Sequence, residues 1–321
     1  LIDQSNAEYA LPAMIMDYTD FYASIDHATN IGKLFRPDNP LMPNYEWVPI
    51  AYHGRSSSIV VSGEPIVRPK GQIRSSIDAP PHVSASEKLD YEMEVGLFVG
   101  AGNQRNVPIS IDEAEQHLFG ICLLNDWSAR DIQAWEYQPL GPFLGKNFAT
   151  TISPWIVTMQ ALAPFRISMK HKGERTILPY LSSDREEANC VIDMHLDVSV
   201  QSAKMKVEGV PPKRLGQSNF KYSYWTPAQM VAHHTLNGCN LRPGDLFGSG
   251  TMSGPGPDQT GALIEVTKGG ELPVQLSNTE SRRFLEDGDT VFLSAWCEKD
   301  GYRTIGFGEC NGTIISVAEP V

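Results

Sequence analysis

The chain has 321 residues, of which 41% are hydrophobic and 20% are charged, a composition typical of a globular protein rather than a disordered one. Its formal net charge of −12 argues against nucleic acid or an acidic membrane surface as a partner, because both attract positive surfaces. No apolar run approaches the roughly 20 residues of a membrane span, and no signal peptide is recognisable. The five cysteines form no C-x-x-C pair. They therefore favour a reducing, cytoplasmic location over a disulfide framework or a zinc knuckle.

The first quarter of the chain is predicted to contain short elements between ordered loops. Residues 20–31 (DFYASIDHATNI) are typical of a helix, which Gly32 would end. Residues 58–62 (SIVVS) have the composition of a short apolar strand. The proline-rich stretch 37–49 indicates a long ordered loop, and such loops often carry binding residues.

Residues 89–100, LDYEMEVGLFVG, alternate as a β-strand does. Glu92 and Glu94 share one face, about 7 Å apart at the backbone. Paired carboxylates can hold a hard cation such as Ca²⁺ or Mg²⁺. By spacing alone, however, a solvated strand face is the more common arrangement. The opposite, apolar face consists of Tyr91, Met93, Val95, Leu97 and Val99.

The segment 110–127 predicts a helix followed by a buried strand. Ser110 and Glu113 have the spacing of a capping box, and Gly120 would end the helix. The apolar run ICLLNDW then predicts a strand with Asp126 near its end. A carboxylate in that position can be buried and still reach a site.

A further helix, ARDIQAWEY, is predicted to begin after Ser128 and to stop before Pro139. Arg130, Gln133 and Tyr137 fall at positions i, i+3 and i+7, so they share one face. Such a polar stripe could bind an oxyanion or a carboxylate. It could equally be a solvated helix face with surface ion pairs, and the pattern does not decide between the two.

Lys146 lies in PFLGKNFATT, a loop with apolar residues and glycine. Burying an ammonium group is costly unless it is paired. The position therefore indicates either a function or a buried ion pair with a carboxylate. The alternative is a surface lysine whose aliphatic part covers apolar neighbours.

The second half of the chain is predicted to be mainly β-structure, so that the whole is one mainly β (α+β) domain with a few helices at its rim. Residues 201–225, rich in Lys, Gln and Ser, have the composition of the least structured connection. A helix begins after Thr226. A closing β-meander is predicted over 301–317, with a hairpin turn at Asn311-Gly312. The remaining strands are predicted over residues 191–200, 261–267 and 290–297.

A histidine is the simplest general base near neutral pH. His27 lies on the first predicted helix and His53 lies in AYHGRSS, and the residues alone do not choose between them. His233 and His234 lie on an amphipathic helix and are predicted to be structural. The chain has no G-x-S-x-G elbow, H-E-x-x-H or P-loop, which removes several common enzyme classes.

Several stretches match one family together. They are DYTDFYASIDHATNIG, AYHGRSSSIVVSGEPI, LDYEMEVGLFVG, LNDWSARDIQAWEYQPLGPFLGKNFATTISPW and NGCNLRPGDLFGSGTMSG. Their combination resembles the fumarylacetoacetate hydrolase family, from about Leu11 to the C-terminus. Within the fourth stretch, the part from NDWSARDIQ to PFLGK is specific to the family. The E-x-E pattern of Glu92 and Glu94 is common to a wider superfamily. The family's small N-terminal SH3-like domain is not matched, so we expect residues 1–321 to be a single catalytic domain.

The resemblance implies a catalytic domain folded as a mixed β-sandwich roll and assembled as a homodimer. It implies a catalytic divalent cation, usually Ca²⁺, whose ligands are Asp20, Glu92, Glu94 and Asp126. It also implies a second, structural Mg²⁺, whose ligands are Asp126 and oxygen atoms of Lys146 and Thr150.

The resemblance implies further roles in the reaction. His27 matches the base that activates water, and Glu265 matches the carboxylate that orients it. The groups that stabilise developing negative charge would be Arg130, Gln133 and Lys146. The substrate-binding positions would be Tyr22, Arg36, Tyr52, Tyr137 and Thr251.

The implied reaction is metal-dependent hydrolysis of a carbon–carbon bond in 4-fumarylacetoacetate, which gives fumarate and acetoacetate in the last step of tyrosine and phenylalanine catabolism. An alternative is a sister activity of the superfamily: acylpyruvate hydrolysis, decarboxylation of an oxo-diacid, or isomerisation. A further alternative is a non-catalytic β-sandwich that binds Ca²⁺. Such a module has no need for His27, Glu265 and Lys146 together.

Overall fold

The computed structural model describes residues 6–76, 78–169, 177–184 and 189–317. Within these ranges the chain is mainly β-structure with short helices, which confirms the predicted fold class. The strands are β1 (Tyr18–Phe21), β2 (Ala51–Gly54), β3 (Ile59–Val61), β4 (Ile66–Val67), β5 (Lys70–Ile73), β6 (His82–Ala85), β7 (Leu89–Asp90), β8 (Met93–Val99), β9 (Leu118–Asp126), β10 (Ser128–Ala129), β11 (Thr150–Ile152), β12 (Val157–Thr158), β13 (Arg166–Ile167), β14 (Val191–Ile192), β15 (His195–Gln201), β16 (Lys213–Asn219), β17 (Leu246–Gly248), β18 (Val274–Gln275), β19 (Ser281–Arg282), β20 (Thr290–Cys297) and β21 (Ile305–Ile315).

The α-helices of the described residues are short, and none is long and apolar enough to cross a membrane. Their N-terminal caps follow ordinary chemistry. Ser24 accepts a hydrogen bond from the His27 backbone, and Thr226 and Gln229 form a reciprocal capping box. The helices are Ile25–Phe35, Ile111–Ala114, Arg130–Glu136, Met159–Leu162, Ala203–Glu208, Pro227–Thr235 and Leu263–Val266.

The larger sheet has the strand order β2-β1-β17-β8-β9-β11-β3, with β12 also paired to β9. β1 runs parallel to β17, and β8 runs antiparallel to both β17 and β9. Every residue of β8 is buried, so both faces of this central strand are covered. Any charged side chain on β8 must therefore find a partner inside the protein.

The second large sheet has the order β16-β15-β20-β21-β4 and packs against the first. Met93 and Val95 of β8 belong to the same buried cluster as Leu196 and Val198 of β15. This shared cluster is the core of a sandwich, as expected for two sheets packed face to face. The outer face of the larger sheet buries a separate cluster, which includes Tyr18, Phe98 and Leu246.

Several elements of the structure have bounds that differ from the predicted ones. Residues 20–31 are not one helix: Tyr18–Phe21 is a strand, and the helix starts only after the cap at Ser24. Gly32 lies inside that helix, where a Cβ would sit 2.0 Å from the Pro40 carbonyl oxygen, so the glycine permits a close approach. The helix predicted up to Gly120 is only a short turn, because Gly120 belongs to β9.

Three predictions in the second half are wrong. Residues 201–225 are well structured and contain the helix Ala203–Glu208 and strand β16. Residues 261–267 hold a helix rather than a strand, because Asp90 accepts hydrogen bonds from its first backbone N–H groups. Asn311-Gly312 forms no hairpin turn and lies within the continuous strand β21, where these residues pair with β20.

Candidate active site

A cavity of about 570 Å³ opens beside the helices Ile25–Phe35 and Arg130–Glu136 and the edge strand β2. It brings together eleven of the predicted site residues: Asp20, Tyr22, His27, Arg36, Tyr52, Glu92, Arg130, Gln133, Tyr137, Lys146 and Thr251. A smaller cavity of about 240 Å³ meets it at Tyr52 and Lys146. Asp126, Thr150 and His53 line only the smaller cavity.

His27 and Glu265 form a buried pair at one side of the large cavity. His27 Nδ1 lies 2.8 Å from Glu265 Oε2, and both side chains are almost fully buried. Glu265 also accepts hydrogen bonds from Asn30 Nδ2 at 2.9 Å and from Ser253 Oγ at 2.8 Å. Burial opposes ionisation of Glu265, but His27 and these donors outweigh it and lower the pKa of the carboxyl. An ionised Glu265 accepts from Nδ1–H, which leaves Nε2 of His27 to act as a base.

Four buried carboxylates form a cluster next to this pair. They are Asp20 on β1, Glu92 just before β8, Glu94 near the start of β8, and Asp126 at the end of β9. Each offers an oxygen within 4.8 Å of the others. The strand order brings β1, β8 and β9 close together, although β1 and β9 are a hundred residues apart in the sequence. The solvated strand face that spacing favours for Glu92 and Glu94 is therefore wrong.

Only part of the cluster has a cationic partner. Lys146 Nζ lies 2.6 Å from Glu92 Oε2 and 2.7 Å from Asp126 Oδ2, which confirms the buried ion pair that the sequence allows. Among the described residues Asp20 and Glu94 have no ion pair, and Glu94 Oε1 has no hydrogen-bond partner. Burial raises the pKa of both carboxyls, and the neighbouring acids raise it further.

The pKa of Glu92 is lowered, in contrast to the pKa values of Asp20 and Glu94. Burial opposes its ionisation, but Lys146 and then Arg130 hold its pKa well below the ordinary value. The cluster thus combines two carboxylates that are ion-paired with basic side chains and two that form no ion pair among the described residues. A donor set made only of buried oxygens, with one orphaned acceptor, fits a hard divalent cation.

Arg130 is held in place by Asp90, a residue that no sequence pattern assigned to the site. Arg130 Nε and Nη2 each lie 2.9 Å from Asp90 Oδ2, and Nη1 lies 2.8 Å from Glu92 Oε1. The fully buried Asp90 also accepts from the backbone N–H groups of Leu263 and Ile264, in the helix that carries Glu265. One carboxylate therefore anchors both Arg130 and the Glu265 helix.

The remaining predicted residues are partly buried (Tyr22 and Tyr52), fully buried (Thr251) or exposed at the cavity mouth. Tyr52 donates a 2.7 Å hydrogen bond to Asp126, and the Tyr22 ring meets the His27 ring edge to face. Thr251 has a buried hydroxyl without a hydrogen-bond partner among the described residues. Arg36 and Tyr137 are exposed at the mouth, where they can contact an entering ligand.

The surroundings of Thr150 bear on the predicted Mg²⁺ site. Thr150 Oγ1 donates a 3.1 Å hydrogen bond to Asp126 Oδ1. The Lys146 ammonium group has no lone pair, so its side chain cannot be a ligand. A cation site with Asp126 at this position would need a main-chain oxygen of Lys146 and an oxygen of Thr150, from its main chain or its hydroxyl. The predicted Mg²⁺ stays a prediction.

Residues 17–315 match the family model described as "Fumarylacetoacetate (FAA) hydrolase C-terminal". The chain belongs to the fumarylacetoacetate hydrolase family. Similar family members include human fumarylacetoacetase, 49% identical over 99% of this chain and 74% of the human protein. The Arabidopsis thaliana fumarylacetoacetase is 51% identical over 97% of this chain and 72% of its own length.

Solved structures share the fold of this chain at low sequence identity. Fumarylpyruvate hydrolase from Pseudomonas aeruginosa, in complex with Mn²⁺ and pyruvate, is 17% identical with a TM-score of 0.54, and the match covers 98% of this chain and 94% of that one. A protein from Exiguobacterium antarcticum described as fumarylacetoacetate hydrolase is 18% identical with a TM-score of 0.56, over 96% and 78% of the two chains. These likenesses establish the fold of the family and nothing finer.

Proposed function

We propose that this chain hydrolyses the carbon–carbon bond of 4-fumarylacetoacetate and gives fumarate and acetoacetate, the last step of tyrosine and phenylalanine catabolism. The observation that carries the proposal is about 50% identity to fumarylacetoacetases over nearly the whole chain. The buried His27–Glu265 pair beside a carboxylate cluster supports it, because a binding module would not need a base at its cation site.

In the proposed reaction, water adds its oxygen to the fumaryl carbonyl carbon and gives one proton to His27 Nε2. Glu265 holds the imidazole in the required tautomer and balances the positive charge that the ring gains. The carbon–carbon bond then breaks, its electron pair leaves with the acetoacetate carbon, and that carbon takes up a proton. The sum is one water consumed and two carboxylic acid products.

Negative charge develops on the carbonyl oxygen before the bond breaks. Lys146 and the Arg130–Gln133 helix face line the cavity and are already held in position, which suits donors for such charge. Donors of this kind typically contribute about 3 kcal/mol to lowering a barrier. A divalent cation held by Asp20, Glu92, Glu94 and Asp126 supplies Lewis-acid stabilisation of the diketone oxygens when it is bound.

The substrate end groups are carboxylates, which require local positive charge in a protein with a net charge of −12. Arg36 at the cavity mouth is the proposed partner of one carboxylate. The proposed contacts along the rest of the substrate are Tyr22, Tyr52, Tyr137 and Thr251.

We propose Ca²⁺ as the catalytic cation and Mg²⁺ as a structural or alternative one. We also propose that residues 1–321 form a single catalytic domain, of which residues 17–315 match the family model, and that the chain assembles as a homodimer. The cytoplasmic location stays a prediction.

The test is a turnover assay on 4-fumarylacetoacetate with and without a chelator, beside a panel of acylpyruvates and oxo-diacids. We expect turnover of 4-fumarylacetoacetate to exceed that of the panel and to vanish with the chelator. Preference for an acylpyruvate would favour the sister activity. Turnover of none of these compounds by protein that binds Ca²⁺ would favour a non-catalytic module.

A further inference from the structure

The hydroxyl of Tyr18 is buried beside the carboxylate cluster and has no hydrogen-bond partner among the described residues. Only 3% of the residue is exposed. A buried hydroxyl without a partner costs free energy, so its presence needs a physical reason. Tyr18 has no role in the function proposed above.

The position of Gly248 shows where this hydroxyl points. A Cβ added to Gly248 would lie 2.4 Å from Asp20 Oδ1, 2.9 Å from Glu94 Oε2 and 3.0 Å from the Tyr18 hydroxyl oxygen. The hydroxyl and two cluster carboxylates therefore converge on one small space, which exists because residue 248 has no side chain. These two carboxylates are the ones that lack an ion pair.

The sequence fixes the tyrosine in this position in two ways. Tyr18 and Asp20 are two residues apart on β1, so their side chains share a face. Gly54 pairs with Tyr18 across β1 and β2, and a Cβ there would lie 2.1 Å from the tyrosine ring. Glycine at position 54 therefore gives the ring room to lie along the sheet.

We infer that Tyr18 is a positioning residue of the proposed cation site. Its hydroxyl has no partner in the metal-free chain and would donate a hydrogen bond to a carboxylate oxygen of the Asp20–Glu94 pair once these carboxylates hold the cation. A tyrosine hydroxyl ordinarily titrates only at about pH 10, so at neutral pH it keeps its proton and can donate it to a carboxylate. Tyr18 thus adds a donor to the site without adding charge. Hydrogen bonds of this kind orient metal ligands and tune their affinity.

This inference rests on the proposed cation site and is tested apart from it. Tyr18→Phe removes one oxygen atom and keeps the packing against Phe98 and Leu246. The matched control is Tyr91→Phe: Tyr91 is also fully buried with an unpartnered hydroxyl, but its electrostatic neighbours are Asp90 and Glu265. The measurement is calorimetric titration of each metal-free protein with Ca²⁺, together with its melting temperature.

We expect Tyr18→Phe to bind Ca²⁺ about 10- to 100-fold more weakly than the parent chain, with Tyr91→Phe unchanged. The melting temperature of metal-free Tyr18→Phe should not fall, because the lost hydroxyl was unpaired. Equal Ca²⁺ affinity in Tyr18→Phe and the parent chain would overturn the role of Tyr18 but would not contradict the cation site. Absence of Ca²⁺ binding by the parent chain would overturn the cation site itself, and this inference with it.

A second variant tests whether the space beside Gly248, where the Tyr18 hydroxyl meets the two carboxylates, belongs to the cation site. Gly248→Ala places a methyl group among the same three oxygens and should abolish Ca²⁺ binding. If that variant binds Ca²⁺ like the parent chain, the space beside Tyr18 is not part of the site.

Discussion

His27 and Glu265 meet through a 2.8 Å contact although 238 positions separate them in the sequence. The pair is buried and leaves Nε2 as the ring nitrogen available to the cavity. We predict that His27→Gln lowers kcat by about 10²- to 10⁴-fold, the usual contribution of a general base. Calcium affinity and melting temperature should change little, because the variant leaves the carboxylate cluster intact.

The matched control for His27 is His53→Gln, which alters an exposed histidine outside the large cavity. Its kcat should stay within about two-fold of the parent chain, as surface substitutions usually have small effects. Steady-state kinetics on 4-fumarylacetoacetate compares the two. A larger loss in His53→Gln than in His27→Gln would contradict the prediction and indicate His53 as the base.

Asp90 and Arg130 should be energetically coupled. Removing one partner of a buried ion pair typically costs about 3–5 kcal/mol, because the other charge is left without compensation. We therefore predict that Asp90→Asn and Arg130→Met each destabilise the fold, and that the double variant loses less than the sum. Denaturant unfolding of the four proteins measures the coupling, expected at about 0.5–3 kcal/mol. Strictly additive losses would mean that the contact contributes nothing to stability.

Metal removal should abolish activity reversibly. We predict that a chelator eliminates turnover and that Ca²⁺ or Mg²⁺ restores it. Glu94→Gln should lose Ca²⁺ affinity by at least about ten-fold, as loss of a coordinating carboxylate would, while its metal-free fold persists. Glu46→Gln, which changes an exposed acid, is the control and should bind Ca²⁺ normally. Full activity in demonstrably metal-free protein would contradict the predicted effect of the chelator.

The metal-free protein should lose stability as the pH rises. Burial, followed by repulsion from neighbouring acids, raises the pKa of Asp20 and Glu94 above 3.8 and 4.5 in the folded state. The folded chain then holds protons that the unfolded chain releases, so this contribution is present at low pH and declines above about pH 4. A divalent cation bound by these carboxylates would replace those protons. The melting-temperature difference between Ca²⁺-loaded and chelated protein should therefore widen from about pH 5 to pH 8, and a narrowing difference would refute this.

Sequence patterns predicted the structure correctly where neighbouring residues in the sequence determine it. Strand β20, Thr290–Cys297, has the predicted bounds because apolar alternation between turn residues is a local signal. The helix after Thr226 begins as predicted, because its cap is encoded within four residues. Asp126 lies at a strand end for the same reason.

Sequence patterns failed where a distant residue decides the structure. ALIEV reads as a strand, but Asp90, more than 170 positions earlier, caps the helix Leu263–Val266. Asn311-Gly312 reads as a turn, but Gly312 lies under the Trp127 ring inside β21. The role of Asp90 could not be predicted either, because its partners Arg130, Leu263 and Ile264 are distant in the sequence. Its two-residue spacing from Glu92 was not a sufficient signal.

The placement of Glu92 and Glu94 two residues apart ties the cation site to strand pairing. A slip of this segment by one residue against β9 would turn both carboxylates away from Asp20 and Asp126 together. Near-native states with shifted strands would thus lack half of the ligands at once. Cation binding is therefore a reporter of correct register, which could be used to follow the last stage of refolding.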